Sequence, residues 1–398
     1  MDRSHAGLID RRWAALLLVL PVAFLTAFFV WPVANIIGEG LRGDGAWDLS
    51  GVGEVLGDAR LRSVVWFTLW QAVASTALTF AVGLPLAQVL SRYELPGRRF
   101  LQAVLVVPFV LPTVVVGTAF LSLLGRDSPL GVDLRGSVWA ILLAHAFFNL
   151  AVVVRVVGGL WEGLDQGPEE AARVLGAPPW RSFVAVTLPA LRPAIASAAA
   201  ITFLFTFTSF GVVKILGGPG RTTLEVEIYR QTADLLDLPT ASVLALLQLT
   251  AVGAMLLVQD RLERRRAHHA VALAPPRRHR PVNRVERAWV GANLVVLALL
   301  VGAPLVSLVE RSTRTADGRG LGAWRALGVD DGTGLFVSPL PRSRPRSATR
   351  WRRPCWRWCW ARWPPSRSRA HEVAGLGSWT ECCCCPSGCP RSRSGSGS

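Results

Sequence analysis

Apolar residues run through this chain in long blocks separated by short polar breaks. The blocks lie near residues 13–37, 64–90, 101–124, 138–160, 192–216, 240–258 and 288–309. A helix needs about 20 mostly apolar residues to cross the hydrocarbon core of a bilayer, and each block comes close to that length. The pattern predicts seven membrane helices. The apolar run of the first block, about 25 residues, is longer than the 7 to 15 of a signal-peptide core, so it is expected to stay as an anchor. Composition points the same way, with 51% hydrophobic residues, 18% charged and a mean hydropathy of +0.37. The expected fold class is an all-α membrane protein that uses the lipid bilayer as its solvent.

Arginine placement orients the helices, because short cytoplasmic loops carry the excess of cationic side chains. Arg3, Arg11 and Arg12 precede the first block, Arg92, Arg98 and Arg99 follow the second, and nine arginines against three acids fall between Gln259 and the seventh block. Loops 38–63, 125–137 and 217–239 mix acids and arginines in near balance. The expected topology therefore has a cytoplasmic N-terminus and places the polar stretch 161–191 on the cytoplasmic side.

That stretch holds the most specific pattern in the chain. Between Pro168 and Pro189 the sequence reads PEEAARVLGAPPWRSFVAVTLP. Glu170, Ala171 and Ala172 are followed by three residues, Gly176, nine residues, Val186, one residue, then Leu188 and Pro189. Small alanines let a short helix press against a partner, Gly176 lets the backbone reverse, and Pro178 or Pro179 can open the next helix. The pattern resembles the coupling loop of importer-type ABC permeases. This resemblance implies that the loop docks on ABC ATPase subunits, with Glu170 as the principal docking residue and Gly176 setting the turn. By itself an acid in a first helical turn is explained by the helix dipole.

ILLAHAFFNL at 141–150, LGGPGRTTLEVEIYRQ at 216–231 and PTASVLALLQ at 239–248 resemble the thiamine and iron(III) permease family over about residues 12–335. The resemblance implies a bacterial inner-membrane, binding-protein-dependent importer for thiamine or its phosphates, with iron(III) as the alternative cargo and a periplasmic or lipid-anchored substrate-binding protein as partner. It also implies one chain with two six-helix halves. Residues 1–258 would form the first half, with its coupling loop at 161–191. A basic cytoplasmic linker at 259–287 would follow, and 288–335 would begin the second half with a seventh transmembrane helix.

Polar residues inside apolar blocks are the candidates for a translocation path, since such groups are costly at membrane depth and face a bundle interior or a cavity. His145 and Asn149 share one helix face, and interhelical hydrogen bonding explains them equally well. Phe203, Phe207 and Phe210 recur at helical spacing beside Thr206, a set that either packs the core or offers aromatic faces to a cation. Arg155 and Lys214, near helix ends, can reach the headgroups. The sole lysine, Lys214, stands in Val-Lys-Ile, so the Gly-Lys-Ser/Thr of a P-loop is absent and ATP must be hydrolysed by another subunit. Residues 1–335 offer no paired nucleophile and base, no two-carboxylate site, no metal cluster and no cofactor motif.

Beyond residue 340 the character changes, with twelve arginines, two acids and all seven cysteines, four of them adjacent at Cys382–Cys385. Adjacent cysteines lack the C-x-x-C spacing that chelates a metal. A membrane-anchored nucleic-acid or metal-binding protein acting through this tail is the alternative of another class. Back-translating Trp351–Trp363 and reading two bases later gives an apolar run of alanine, leucine and valine. The tail, 336–398, is therefore expected to be a shifted reading frame and disordered, and its charge gives no reason to expect nucleic acid as a partner.

Overall fold

The computed structural model describes residues 18–40, 57–125, 133–218, 220–266, 277–315 and 318–320, with positions 53, 131, 275 and 324. Contacts divide the chain into Met1–Val337 and Ser338–Ser398, and every described residue belongs to the first unit. The expected tail lies outside the described residues. The described chain is helical apart from two-residue strands at Arg314–Thr315 and Gly318–Arg319.

Six helices are long and apolar enough to cross a membrane: α1 (Leu18–Asn35), α2 (Ala59–Arg92), α5 (Val138–Gly163), α7 (Pro179–Phe207), α10 (Leu238–Arg261) and α11 (Arg284–Ser312). A bent pair, α3 (Arg98–Val110) and α4 (Thr113–Leu123), qualifies only when taken together. Short helices α6 (Gly167–Val174), α8 (Gly211–Leu216) and α9 (Leu224–Tyr229) lie between the long ones.

Two expected spans are redrawn. The block at 101–124 is not one straight helix, since α3 and α4 meet at 104°. Pro112 is the cause: it has no N–H to donate and keeps Leu111 out of the helical region, and Leu111 is extended at φ −70°, ψ 139°. Arg98 pairs with Glu162 at the far end of α5, whereas α5 begins at Val138, roughly 38 Å away at 1.5 Å per residue. Counted together, the pair would raise the six spans to seven. The block at 192–216 is likewise broken: α7 starts earlier, with Pro179 in its first turn, and closes where Thr208 N–H meets the Leu204 carbonyl at 3.0 Å. The chain restarts as α8.

The bundle centres on α2, α5 and α7. Thr68, Ala72, Ser75, Thr79, Gly83, Ala87 and Ser91 form a buried small-residue stripe on α2, which lets backbones approach as membrane helix interfaces require. A Cβ at Gly83 would stand 2.8 Å from Val153 Cγ1, and Ser91 Oγ donates to the Gly158 carbonyl at 3.0 Å. Leu86, Ile141, Phe147 and Leu150 fill the core beside Phe120, Val213 and Leu216. A second cluster, with Ala87, Val157, Trp161 and Leu191, continues toward the end that carries α6.

At the opposite end Glu227 of α9 is fully buried and accepts from Arg60 Nη2 at 2.8 and 2.9 Å, with Gln231 Nε2 at 2.8 Å. Removing one partner of a buried ion pair costs about 3–5 kcal/mol because the other charge stays behind unpaired. Arg230 at 3.8 Å and Gln231 soften the loss. Because Arg60 is half exposed and these neighbours remain, Arg60→Ala should destabilise by about 1–2 kcal/mol, seen as a lower melting temperature in detergent. An unchanged melting temperature would show that the neighbours alone hold Glu227.

Candidate functional site

The short helix α6 stands between α5 and α7 with no buried residue. Pro168 lies in its first turn, where the missing N–H costs nothing. Glu169 and Glu170 sit in that turn too, and Arg173 is in the last, so the charges complement the helix dipole. Gly176 ends it at φ +89°, the left-handed region that favours glycine. Its N–H donates to the Arg173 carbonyl and the Ala177 N–H to the Ala172 carbonyl, each at 3.0 Å, which is the Schellman stop. Pro178 is extended at φ −65°, ψ 153°, and Pro179 opens the following helix. Each small or cyclic residue of the sequence pattern thus has a backbone task.

The two adjacent acids behave differently. Glu170 is exposed, as are Ala171, Val174 and Leu175. Val174 and Leu175 keep 87% and 88% of their surface, and Trp180 follows at 64%. The loop therefore presents an apolar tip flanked by a carboxylate. Glu169 turns inward. It accepts from Arg173 Nη2 at 2.7 Å and from Thr187 Oγ1 at 2.7 Å, and lies 3.5 Å from Arg92 at the end of α2. Thr187 belongs to a π-helical turn at Phe183–Thr187 within α7, an insertion that often marks functional positions. Glu169, Arg92 and Thr187 were not singled out from the sequence. The doubled acid was the available signal, but its partners lie 77 and 18 residues away and only packing joins them. Val186, Leu188 and Pro189 are half-buried where α7 enters the bundle.

The candidate path residues divide. His145 and Asn149 are buried in a polar seam between α2, α5 and α7, where His145 Nδ1 meets Ser75 Oγ at 2.9 Å and Asn149 Nδ2 donates to the His145 carbonyl at 3.0 Å. Thr206 is buried in the same seam, bonded to the Thr202 carbonyl at 3.0 Å, and Gln71 Nε2 donates to the Thr206 carbonyl at 2.9 Å. Phe203 stacks on Phe207 with centroids 5.8 Å apart. Phe210 is separated from them by the helix break and instead meets Tyr229 at 5.2 Å. Lys214 stands over that tyrosine ring at 4.5 Å, while Arg155 is exposed beside a cavity of about 240 Å³ shared with Arg98, Gln102 and Glu162. The structure therefore buries His145, Asn149 and Thr206, with Ser75 of α2 meeting His145 and Gln71 of α2 meeting Thr206, and sets Phe210 apart.

Residues 79–268 match the model of a family described as binding-protein-dependent transport system inner membrane component. The sulfate transport system permease protein CysT of Escherichia coli is 33% identical over 230 residues, which cover 54% of this chain and 83% of that protein. The thiamine transport system permease protein ThiP of Salmonella typhimurium is 34% identical over 282 residues, covering 67% of this chain and 50% of that protein. The chain thus spans about half the length of the thiamine permeases it matches. A bacterial ABC transporter involved in the import of the acidic polysaccharide alginate has a chain with the same fold, at TM-score 0.54 and 16% identity, covering 65% of this chain and 97% of its own. The present chain belongs to the family of binding-protein-dependent transport system inner membrane components. It is a multi-pass membrane protein and a transport subunit.

Proposed function

We propose that this chain is a permease that carries thiamine or a thiamine phosphate inward, driven by separate ABC ATPase subunits that grip the tip of α6. The observation that carries this reading is the exposed Ala171–Val174–Leu175 surface beside Glu170, on a helix whose other carboxylate is committed to holding it against the bundle. An apolar tip of this kind, left in water, is a contact surface awaiting a partner. Its motion relative to α2 and α7 would carry ATP-driven closure into the bundle. A substrate-binding protein would deliver the solute to the opposite face. A bacterial alginate ABC transporter of this fold has been solved in complex with a pentasaccharide-bound periplasmic protein, which supports that arrangement. Helix parity and the arginine distribution support a cytoplasmic N-terminus, on the side of α6.

Thiamine is favoured by the identity to thiamine permeases across 282 residues. Sulfate is the second reading, favoured by the likeness to CysT over most of that protein's length. Uptake of labelled thiamine, sulfate and iron(III) should be compared in cells lacking their own carriers and supplied with the permease restored to a two-half reading frame, its ATPase and its binding protein. Thiamine uptake at least tenfold over background is expected. Sulfate or iron(III) uptake without thiamine uptake would overturn the assignment.

A further inference from the structure

Residues 277–280, read from the sequence as part of a basic linker, are tied to the membrane domain by backbone as well as by charge. The Glu94 N–H donates to the His279 carbonyl at 3.0 Å, and the His279 N–H to the Arg92 carbonyl at 3.1 Å. Tyr93 and His279 are paired as parallel strand neighbours, with ring centroids 4.8 Å apart. His279 thus forms a single parallel bridge to the loop that leaves α2. Arg280 adds an ion pair with Glu94 at 3.3 Å.

The same stretch also reaches the base of α6. Gln166, the N-cap of that helix, donates through Nε2 to the Arg277 carbonyl at 2.7 Å. Arg278 pairs with Glu162, in the last turn of α5 just before the loop, and Glu162 pairs as well with Arg98 at the start of α3. One three-quarters-buried carboxylate therefore holds three segments: the end of α5, the start of α3 and the linker. Beyond the linker the chain enters α11, whose Val290 packs with Val89 and Tyr93 of α2 and its C-cap.

We propose that residues 277–280 are a strap that positions the coupling helix α6, with Glu162 as its anchor and Arg278 and Gln166 as its two clasps. Movement of α11 would reach the base of α6 through this strap, in addition to whatever passes through the bundle. Glu162 and Arg278 are positioning residues in this scheme and touch no solute. The proposal rests on the reading of α6 as the coupling helix.

The full chain in membranes, with its seven cysteines replaced by serine, permits a direct test. Adjacent strands lie about 4.8 Å apart, within the Cα range that a disulfide bridges. Tyr93→Cys with His279→Cys should therefore cross-link under mild oxidation, and absence of the cross-link overturns the strap. For position, spin labels at Leu175→Cys and Arg99→Cys, both on exposed sites, report the distance from α6 to the start of α3. A narrow distribution is expected with Glu162 and Arg278 intact. Glu162→Gln or Arg278→Ala should broaden it at least twofold, the double variant no further than Glu162→Gln alone, and Arg278→Lys should keep it narrow. Unchanged width in both single variants, or additive broadening, overturns the proposal. Failure of the coupling reading would show elsewhere: Leu175→Asp would then leave binding of the purified ATPase subunits intact, whatever the label distances do.

Discussion

Glu169→Lys should uncouple α6 from the bundle and reduce transport at least tenfold while leaving the protein inserted in the membrane. The lysine would face Arg92 and Arg173, whose cationic groups Glu169 now offsets, and would lose the bond from Thr187. Breaking a fully buried pair costs about 3–5 kcal/mol. With 17% of the Glu169 side chain exposed, about 2–3 kcal/mol is expected, enough to raise the undocked population of α6 roughly 30- to 150-fold. Limited proteolysis near residues 165–180 should accelerate accordingly. Glu170→Lys supplies the contrast. Its exposed side chain makes no hydrogen bond or ion pair among the described residues, so proteolysis should be little changed while ATPase binding and transport fall. Equal protease sensitivity for Glu169→Lys and the parent chain would show that Glu169 does not hold the helix.

Gly83→Leu should prevent the bundle from forming. The first side-chain carbon would already lie 2.8 Å from Val153 Cγ1 and 3.0 Å from Val153 Cβ, and leucine adds three more heavy atoms against a neighbour fixed within α5. Overpacking a well-filled core costs about 1–3 kcal/mol and occasionally more. Here it strikes the seam between the two most intimately packed helices, so loss of the monodisperse peak in size-exclusion chromatography is expected. Gly83→Ala should give a partial loss that Val153→Ala reverses. Recovery of Gly83→Leu at parental yield and melting temperature would refute the close-approach reading of this stripe.

Six of the seven expected spans were legible in the sequence as long apolar helices, because length and apolarity survive averaging over twenty residues. The same averaging concealed the bend between α3 and α4. Pro108 and Pro112 were visible, yet whether a membrane proline kinks or breaks a helix depends on what shelters the freed carbonyls, and that is a matter of neighbours. The turn at Gly176 could be read because a left-handed stop is a local demand on one residue. The division of labour between Glu169 and Glu170 could not, since it depends on Arg92 and Thr187 approaching from distant segments. Phe210 shows the reverse error of a pattern extended too far: its spacing continues the helical phase of Phe203 and Phe207, but the chain breaks at Thr208. The basic stretch before α11 read as a cytoplasmic linker, and its backbone bonds at His279 could not be foreseen from charge.

The bend at Pro112 bears on how the protein is made. Thirteen residues of α3 and eleven of α4 rise only about 20 and 16 Å at 1.5 Å per residue, so neither piece alone reaches across a hydrocarbon core of about 30 Å. Irregular backbone at that depth is tolerated only where protein surrounds it. The surroundings come from later in the chain: Gly211 of α8 fits against Thr113, and Arg311 of α11 donates to the Thr118 carbonyl at 3.0 Å. During synthesis the α3–α4 segment therefore lacks part of its final packing until nearly two hundred further residues have been made. The enclosure of the bend is thus completed only by α11, the last long helix of the described chain.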